Sequence, residues 1–325
     1  MPELEFRYAV RDALDEELER DTSVVFFGED VAVAGGVFAA TMGLYEKYGP
    51  ERVIDTPISE LALAGAAFGS AVSGLRPVIE IMFAYFLPLV MDSLINQATK
   101  YWYISNEQSS VPMVIRSSCG AGGRFGAIHS QTPVSWLLGV PGLKIVAPST
   151  PADAKGLLKS AIRDDNPVLF LEHKRLYSLK GEVGDELVPI GKAAVVREGG
   201  DLTIVTAMKN VHDALEAAAT LSEHGIEATV IDLRTLRPPD IDTVVASVEE
   251  TSRVLVVEEG PETGGWAGGI LAAVTERALY SLDAAWRVTT RDLPIPYSPT
   301  LEDAFLPSAE TIVRSVLERL APAAG

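Results

Sequence analysis

This sequence predicts an α/β protein of two domains, each built on a parallel sheet. Three observations carry that expectation. Short, wholly apolar runs such as Val24-Val25-Phe26-Phe27 and Val168-Leu169-Phe170-Leu171 are the kind found in strands buried on both faces. Between such runs lie segments of helical periodicity, and strands alternating with helices at this spacing argue for a sheet covered on both sides. Residues Tyr177 to Gly200 are richer in Gly, Glu and Pro, and a second α/β unit begins after them. The expected division is a first domain over 1–180, a linker over 181–200 that ends in a short extended segment, and a second domain over 201–325.

The first domain opens on a helix, because Phe6, Val10, Ala13, Leu14 and Leu18 recur at helical spacing among charges. Val24 to Phe27 then runs into Gly28-Glu29-Asp30, polar residues at the carboxyl end of a strand, where open α/β sheets place their ligands. Arg52-Val53-Ile54 is a second strand and Pro77 to Met82 a third. The third delivers Phe83-Ala84-Tyr85-Phe86 to its carboxyl end, rings that suit an ordinary core or the stacking of a flat heterocycle. Pro88 opens a helix expected to reach about Ile104. Pro112 to Arg116 is a fourth strand, and it empties into Ser117 to Gly126, whose glycines mark a flexible or closely approached loop. The G-x-G-x-x-G spacing of a dinucleotide site is absent from it. His129-Ser130-Gln131 ends that loop, ahead of a helix near Thr132-Pro133. A histidine so placed is either a hydrogen-bonded bystander or a functional group. Leu143 to Pro148 and Pro167 to Leu171 are the fifth and sixth strands, with a helix from Pro151 to Arg163 between them.

Chemistry concentrates on Asp55-Thr56-Pro57-Ile58-Ser59-Glu60. Thr56 or Ser59 is placed to cap a helix start, and Pro57 presets the backbone at its entry. Glu60 falls in the first turn, where the helix dipole favours a negative charge. The Ala, Gly and Ser run that follows puts Gly65 and Gly69 on one face, making a slim helix that another backbone can approach. The stretch reads either as a capped core helix or as a carboxylate held at a buried interface to act on a ligand.

In the second half, Leu202 to Thr206, Ala228 to Asp232, Val254 to Glu258 and Arg287 to Thr290 are strands, with helices over His212–His224 and Asp240–Glu250. Gly264 to Gly269 opens a further helix; those glycines either bind an anion through exposed amides or only let the chain turn. No matched acid/base pair or metal-ligand spacing occurs here, so this half reads as a scaffold or assembly domain.

Composition excludes several classes. The net charge of −18 opposes nucleic-acid binding, which needs a basic face. The single Cys119 forms no internal disulfide, and the N-terminus lacks an export signal. The longest apolar run, Val78 to Leu94, is broken by Glu80, Pro88 and Asp92, so no membrane span is expected and the protein reads as cytoplasmic. P-loop, H-E-x-x-H, nucleophile-elbow and C-x-x-C motifs are all absent. What remains is a carboxylate, some rings and one histidine converging on strand ends, which is half a site.

Over nearly its whole length the chain resembles the β subunit of the decarboxylating first component of 2-oxo acid dehydrogenase complexes, within the transketolase-like, thiamin diphosphate-dependent enzymes. The matching stretches are Gly28-Glu29-Asp30-Val31, Asp55 to Glu60, Gly74-Leu75-Arg76-Pro77, His129-Ser130-Gln131, Pro141-Gly142-Leu143-Lys144, Asp153 to Leu157, Ile231 to Thr235 and Thr263-Gly264-Gly265. The resemblance implies a pyrimidine-binding first domain and a transketolase C-terminal-type second domain. It implies that Glu60 meets the aminopyrimidine ring nitrogen of thiamin diphosphate, where burial raises a carboxyl pKa and favours a shared proton. Phe86 matches the ring stacked on the aminopyrimidine. His129 matches the histidine on the substrate side that aids acyl transfer to lipoamide, and Glu29 lies in a loop near the cofactor cleft.

The resemblance further implies a potassium ion on the backbone carbonyls of Met113, Ala161, Ile162, Asp164 and Asn166. The diphosphate and magnesium motif is missing here and belongs to an α subunit, so the cofactor would lie between chains of an α2β2 heterotetramer that serves a lipoyl acyltransferase core. Ser105 to Gln108, Arg124-Phe125 and Leu87-Pro88-Leu89 depart from the family pattern on the substrate side. They leave pyruvate, branched-chain 2-oxo acids and acetoin open as substrates. A split transketolase and a non-catalytic assembly subunit are the competing expectations.

Overall fold

The computed structural model describes residues 1–320, and residues 321–325 of the expected second domain lie outside that range. Two sheets organise the chain. The first has seven strands in the order Thr235–Arg237, Lys144–Val146, Val168–His173, Val114–Cys119, Arg76–Phe83, Val24–Gly28, Val53–Asp55. Every neighbouring pair is parallel except the first. The second has five, Ala284–Thr290, Arg253–Pro261, Leu202–Thr206, Ala228–Asp232 and Ala194–Arg197, with only the last antiparallel to its neighbour. The central strands Val24–Gly28, Val114–Cys119 and Val168–His173 are buried at every residue, which is why Val24–Phe27 and Val168–Leu171 read as apolar runs rather than alternating ones.

Helices Phe6–Arg20 and Pro151–Arg163 pack against each other. A band of ion pairs runs along that seam, with Glu16 on Lys155 and Lys159, and Glu17 on Arg163. Thr150 caps the second helix by accepting from the Asp153 N–H, and Pro151 occupies its first position.

Several elements differ from the sequence reading. The helix expected from Pro88 to Ile104 is instead a 3₁₀ turn over Ala84–Val90, a π-helical stretch over Asp92–Ala98 and an α-helix only over Thr99–Ile104. Pro88 removes a backbone donor inside the first of these, and π-helical turns collect at functional sites. Neither Thr56 nor Ser59 caps the Glu60–Val72 helix through its side chain, although Ser59 does occupy the N-cap position. The fourth strand runs on to Cys119, so the glycine loop starts at Gly120. The segment expected as a linker holds two strands: Lys180–Glu182 pairs with Glu3–Glu5, and Ala194–Arg197 joins the second sheet. Beyond the last expected strand the chain adds two helices, Pro299–Phe305 and Ala309–Leu320.

The two halves are fused rather than strung. Thr235–Arg237, from the second half, adds antiparallel to Lys144–Val146 at the edge of the first sheet. One hydrophobic core runs through both, so that Leu143 and Ala147 belong with Ile231, Leu236 and Trp266.

Candidate active site

The parallel strands of the first sheet present their carboxyl ends to one edge, and the residues singled out there come together. Glu29 follows Val24–Gly28, Phe86 lies just past Arg76–Phe83, and His129 ends the loop that follows Val114–Cys119. Gly28 has no room for a side chain, because a Cβ would sit 2.7 Å from Val31 Cγ1. Thr56 N–H donates to the Gly28 carbonyl and Ala32 N–H to Asp55 Oδ1, which brings the Glu29 loop and the start of the Glu60–Val72 helix side by side.

Glu29 is 9% exposed, and its Oε1 has no hydrogen-bond partner among the described residues. Burial, and then the Glu60 charge, raise its carboxyl above the ordinary glutamate range. Thr56 Oγ1 and Ser130 Oγ are also buried without a partner. Three unpartnered polar atoms along one edge are costly unless a ligand meets them.

The rings form a second cluster. The chain leaves the strand at Phe83 directly into the 3₁₀ turn Ala84–Val90, and Phe86 packs edge-on against Phe83 at 5.7 Å between centroids. The His129 imidazole packs edge-on to both, at 4.7 Å from Phe83 and 5.6 Å from Phe86.

The loop that carries Phe125 and His129 is held by the second half of the chain. Ala121 N–H donates to Glu259 Oε1 at 2.6 Å, Gly122 N–H to Glu302 Oε1 at 3.0 Å, and Arg124 reaches Glu302 and Asp303. Gly120 has φ +86°, and a Cβ there would fall on the His173 ring. The half that reads as scaffold therefore supplies the carboxylates that shape the loop. Glu259, Glu302 and the buried Lys174 carried no motif; Glu259 and Lys174 lie near the carboxyl ends of strands and Glu302 in the helix Pro299–Phe305, so only folding brings them here.

The glycines at Gly264 to Gly269 serve an internal purpose. Trp266 and Ala267 at the helix start donate their N–H groups to Glu258 at 3.0 and 2.8 Å, and a Cβ on Gly265 would lie 2.5 Å from that carboxylate. The helix does bind an acidic group, and that group is the protein's own. Burial still pushes the Glu258 carboxyl up to about 7 against those bonds.

Met113, Ala161, Ile162, Asp164 and Asn166 lie at the opposite edge, where the strands Val114–Cys119 and Val168–His173 begin. Four of these carbonyls already accept one hydrogen bond each. Val168 N–H donates to Met113, Asp164 N–H to Ala161, and the Arg76 guanidinium to Ile162 and Asp164 at 2.9 Å. An apolar cavity of about 660 Å³ lies between Trp102 and Trp266 and includes none of the predicted catalytic groups.

Comparison with known proteins agrees with this architecture. Residues 2–180 match the transketolase pyrimidine binding domain and residues 191–312 the transketolase C-terminal domain. The chain is 47% identical to the acetoin:2,6-dichlorophenolindophenol oxidoreductase subunit beta of Cupriavidus necator, covering 95% of each chain. It is 45% identical to the 2-oxoisovalerate dehydrogenase subunit beta of Bacillus subtilis, over 95% of this chain and 96% of that one. The pyruvate dehydrogenase E1 component subunit beta of the same organism is also 45% identical, over 98% and 100%. A solved split-gene transketolase, an inactive β4 tetramer, shares the fold with a TM-score of 0.81 at 24% identity, covering 98% of both chains. The chain belongs to the transketolase-type family of β subunits of 2-oxo acid dehydrogenase first components.

Proposed function

We propose that this chain, with an α subunit, decarboxylates a 2-oxo acid on thiamin diphosphate and passes the acyl group to a lipoyl acceptor. The observation that carries the reading is the Glu29–Glu60 pair beside the Phe86–His129 cluster at one sheet edge. The residues fit the cofactor, since an aminopyrimidine offers both donors and acceptors to unpartnered Glu29 Oε1 and Thr56 Oγ1. Bound thiamin diphosphate supplies the carbon that attacks the substrate and the electron sink for loss of carbon dioxide. Glu60 would hydrogen-bond the ring nitrogen through its carboxyl, Phe86 would stack on the ring, and Glu29, its carboxyl raised by burial and by the Glu60 charge, would lie beside Glu60. His129 faces the substrate and moves a proton on its imidazole during acyl transfer.

The rest of the cofactor's contacts belong to the partner. Ile58 is 84% exposed, Leu61 59% and Tyr103 80%, and at Gly69 nothing among the described residues outside its own helix turn lies within 4 Å of where a Cβ would stand. Such an apolar, slim face beside the carboxylates suits docking of an α chain in an α2β2 assembly. Among the described residues no group of three or more His, Cys, Asp or Glu side chains is placed to hold a metal, so the reading assigns magnesium to the α chain. Potassium would take the remaining lone pairs of the Met113, Ala161, Ile162, Asp164 and Asn166 carbonyls. No helix among the described residues is long and apolar enough to cross a membrane, and the reading places the assembly in the cytoplasm beside its acyltransferase core.

The test is co-production with the α-type subunit, addition of thiamin diphosphate and magnesium, and assay of pyruvate, 2-oxoisovalerate and acetoin with a dye acceptor. Turnover of pyruvate or 2-oxoisovalerate that disappears in Glu60→Ala is expected. A cofactor-loaded assembly that acts on neither, or on acetoin alone, overturns the proposal.

A further inference from the structure

Lys174 is a buried cation to which the proposed chemistry gives no task. It follows the strand Val168–His173 in a short 3₁₀ turn, and only 9% of it is exposed. Its Nζ donates to the main-chain carbonyl of His129. The same Nζ lies 5.3 Å from the centroid of Phe83 and 5.4 Å from that of Phe125, over both ring faces. No carboxylate among the described residues comes within ion-pair distance of it, so the ammonium is held by a carbonyl and two π-faces alone. Burial pulls it down to about 8, against the charges of Cys119, Glu259 and Glu302.

Taking an ammonium out of water is costly, and a buried one is normally paired and hydrogen-bonded. Here the compensation runs through the residues that frame the imidazole. Phe83, which the ammonium covers, is also the ring against which His129 packs edge-on at 4.7 Å. The lysine thus grips the backbone of His129 and at the same time loads the ring beneath its side chain.

We infer that Lys174 is a positioning residue for His129, fixing the imidazole toward the acyl group through its carbonyl and through Phe83. The inference rests on the role proposed above for His129. It deepens that role, because a loop with glycines at 120, 122, 123 and 126 has little stiffness of its own. The glutamates of the second half pin the start of the loop, and Lys174 pins its end.

Two readouts on the assembled α/β complex test it. In Lys174→Met the ratio of lipoyl acylation to dye-coupled decarboxylation is expected to fall about tenfold, as for a misplaced group in one step of two. Lys174→Arg, which keeps the cation and the donor, recovers most of it. Before cofactor is added, diethyl pyrocarbonate modification of His129, followed by peptide mass mapping, is expected to quicken several-fold in Lys174→Met and not in Lys174→Arg. An unchanged ratio with unchanged His129 reactivity overturns the inference, as does a loss shared equally by both activities. If the wild-type complex turns over no substrate, the proposed function falls, while the His129 reactivity still decides the role of Lys174. Should Lys174→Met fail to assemble, Lys174→Gln is read in the same two assays with the same expected direction.

Discussion

His173 Nε2 lies 3.0 Å from Glu259 Oε2, so a strand of the first sheet is tied to a strand of the second directly beneath the site loop. Burial alone raises the Glu259 carboxyl, but the His173 charge, its hydrogen bond and the Ala121 N–H outweigh it and hold the group below the ordinary glutamate range. A carboxylate depressed in the fold stabilises it above the unfolded value near 4.5, and that stability disappears as pH falls through the folded value. Glu259→Ala is expected to remove this acid-side dependence and to free the Ala121 N–H. Hydrogen exchange across residues 120–129 quickens, and turnover of the assembled enzyme drops about 10- to 100-fold through misplacement of His129. Unaltered exchange in that loop would show that the clamp has no effect.

Glu60 and Glu29 separate by what each loses. Glu60→Ala is expected to lower turnover by roughly 10³-fold, within the range for a proton-handling carboxyl, while the α/β assembly stays intact by size-exclusion chromatography. Glu29→Gln removes the like charge beside Glu60 and is expected to weaken thiamin diphosphate binding more than the chemical step. Titration of cofactor by calorimetry and steady-state kinetics distinguishes the two. Equal losses of affinity and rate in both variants would erase the division of labour.

Arg116 is 1% exposed and holds two carboxylates at once. Its Nε and Nη2 meet Glu172 at 2.7 and 2.9 Å, its Nη1 meets Glu80 at 2.9 Å, and Tyr177 completes the set through Glu172. Removing the guanidinium leaves two carboxylates in the core with no counter-charge. Arg116→Ala is expected to cost about 3–5 kcal/mol, and Arg116→Lys to recover only part of it because an ammonium lacks the fork. Glu80→Gln, whose carboxyl is already raised by burial, should cost far less. Chemical denaturation of the three variants gives the order, and a tolerant Arg116→Ala would refute the account.

Much of this arrangement is legible from residues alone, and what is not has a physical reason. Fully buried strands such as Val24–Gly28 announce themselves because nothing polar interrupts them. Thr235–Arg237 does not, because a three-residue edge strand carries no periodicity and its partner lies in the other half of the chain. The Pro88 helix misleads because its apolar content fits a helix, while the backbone follows 3₁₀ and then π geometry. Glu60, Phe86 and His129 stand out as candidates through their motif contexts. Glu259, Glu302 and Lys174 reach the same edge only after folding, from positions up to 180 residues away in sequence, and no local pattern can register that.

Asp232 sits where the two halves meet and predicts how stability changes with pH. It is completely buried and accepts from the Ser149 hydroxyl and from the Arg234 N–H, while His212 Nε2 donates to the Ser149 carbonyl at 2.8 Å. Asp153 lies nearby, itself paired with Arg234 at 2.8 Å. Burial above all pushes the Asp232 carboxyl from 3.8 up to about 7, with the Asp153 charge adding to it, although the Ser149 and Arg234 contacts pull the other way. Between those two values the folded chain therefore binds a proton that the unfolded chain has released. Linkage then makes stability fall as pH rises through that window, and the loss is complete once the folded group ionises. The full effect is on the order of 4 kcal/mol. Asp232→Asn cannot ionise, so its melting temperature is expected to exceed that of the parent at pH 8 and to match it near pH 4. Equal melting curves for the two proteins at both pH values would show that the domain junction carries no such proton.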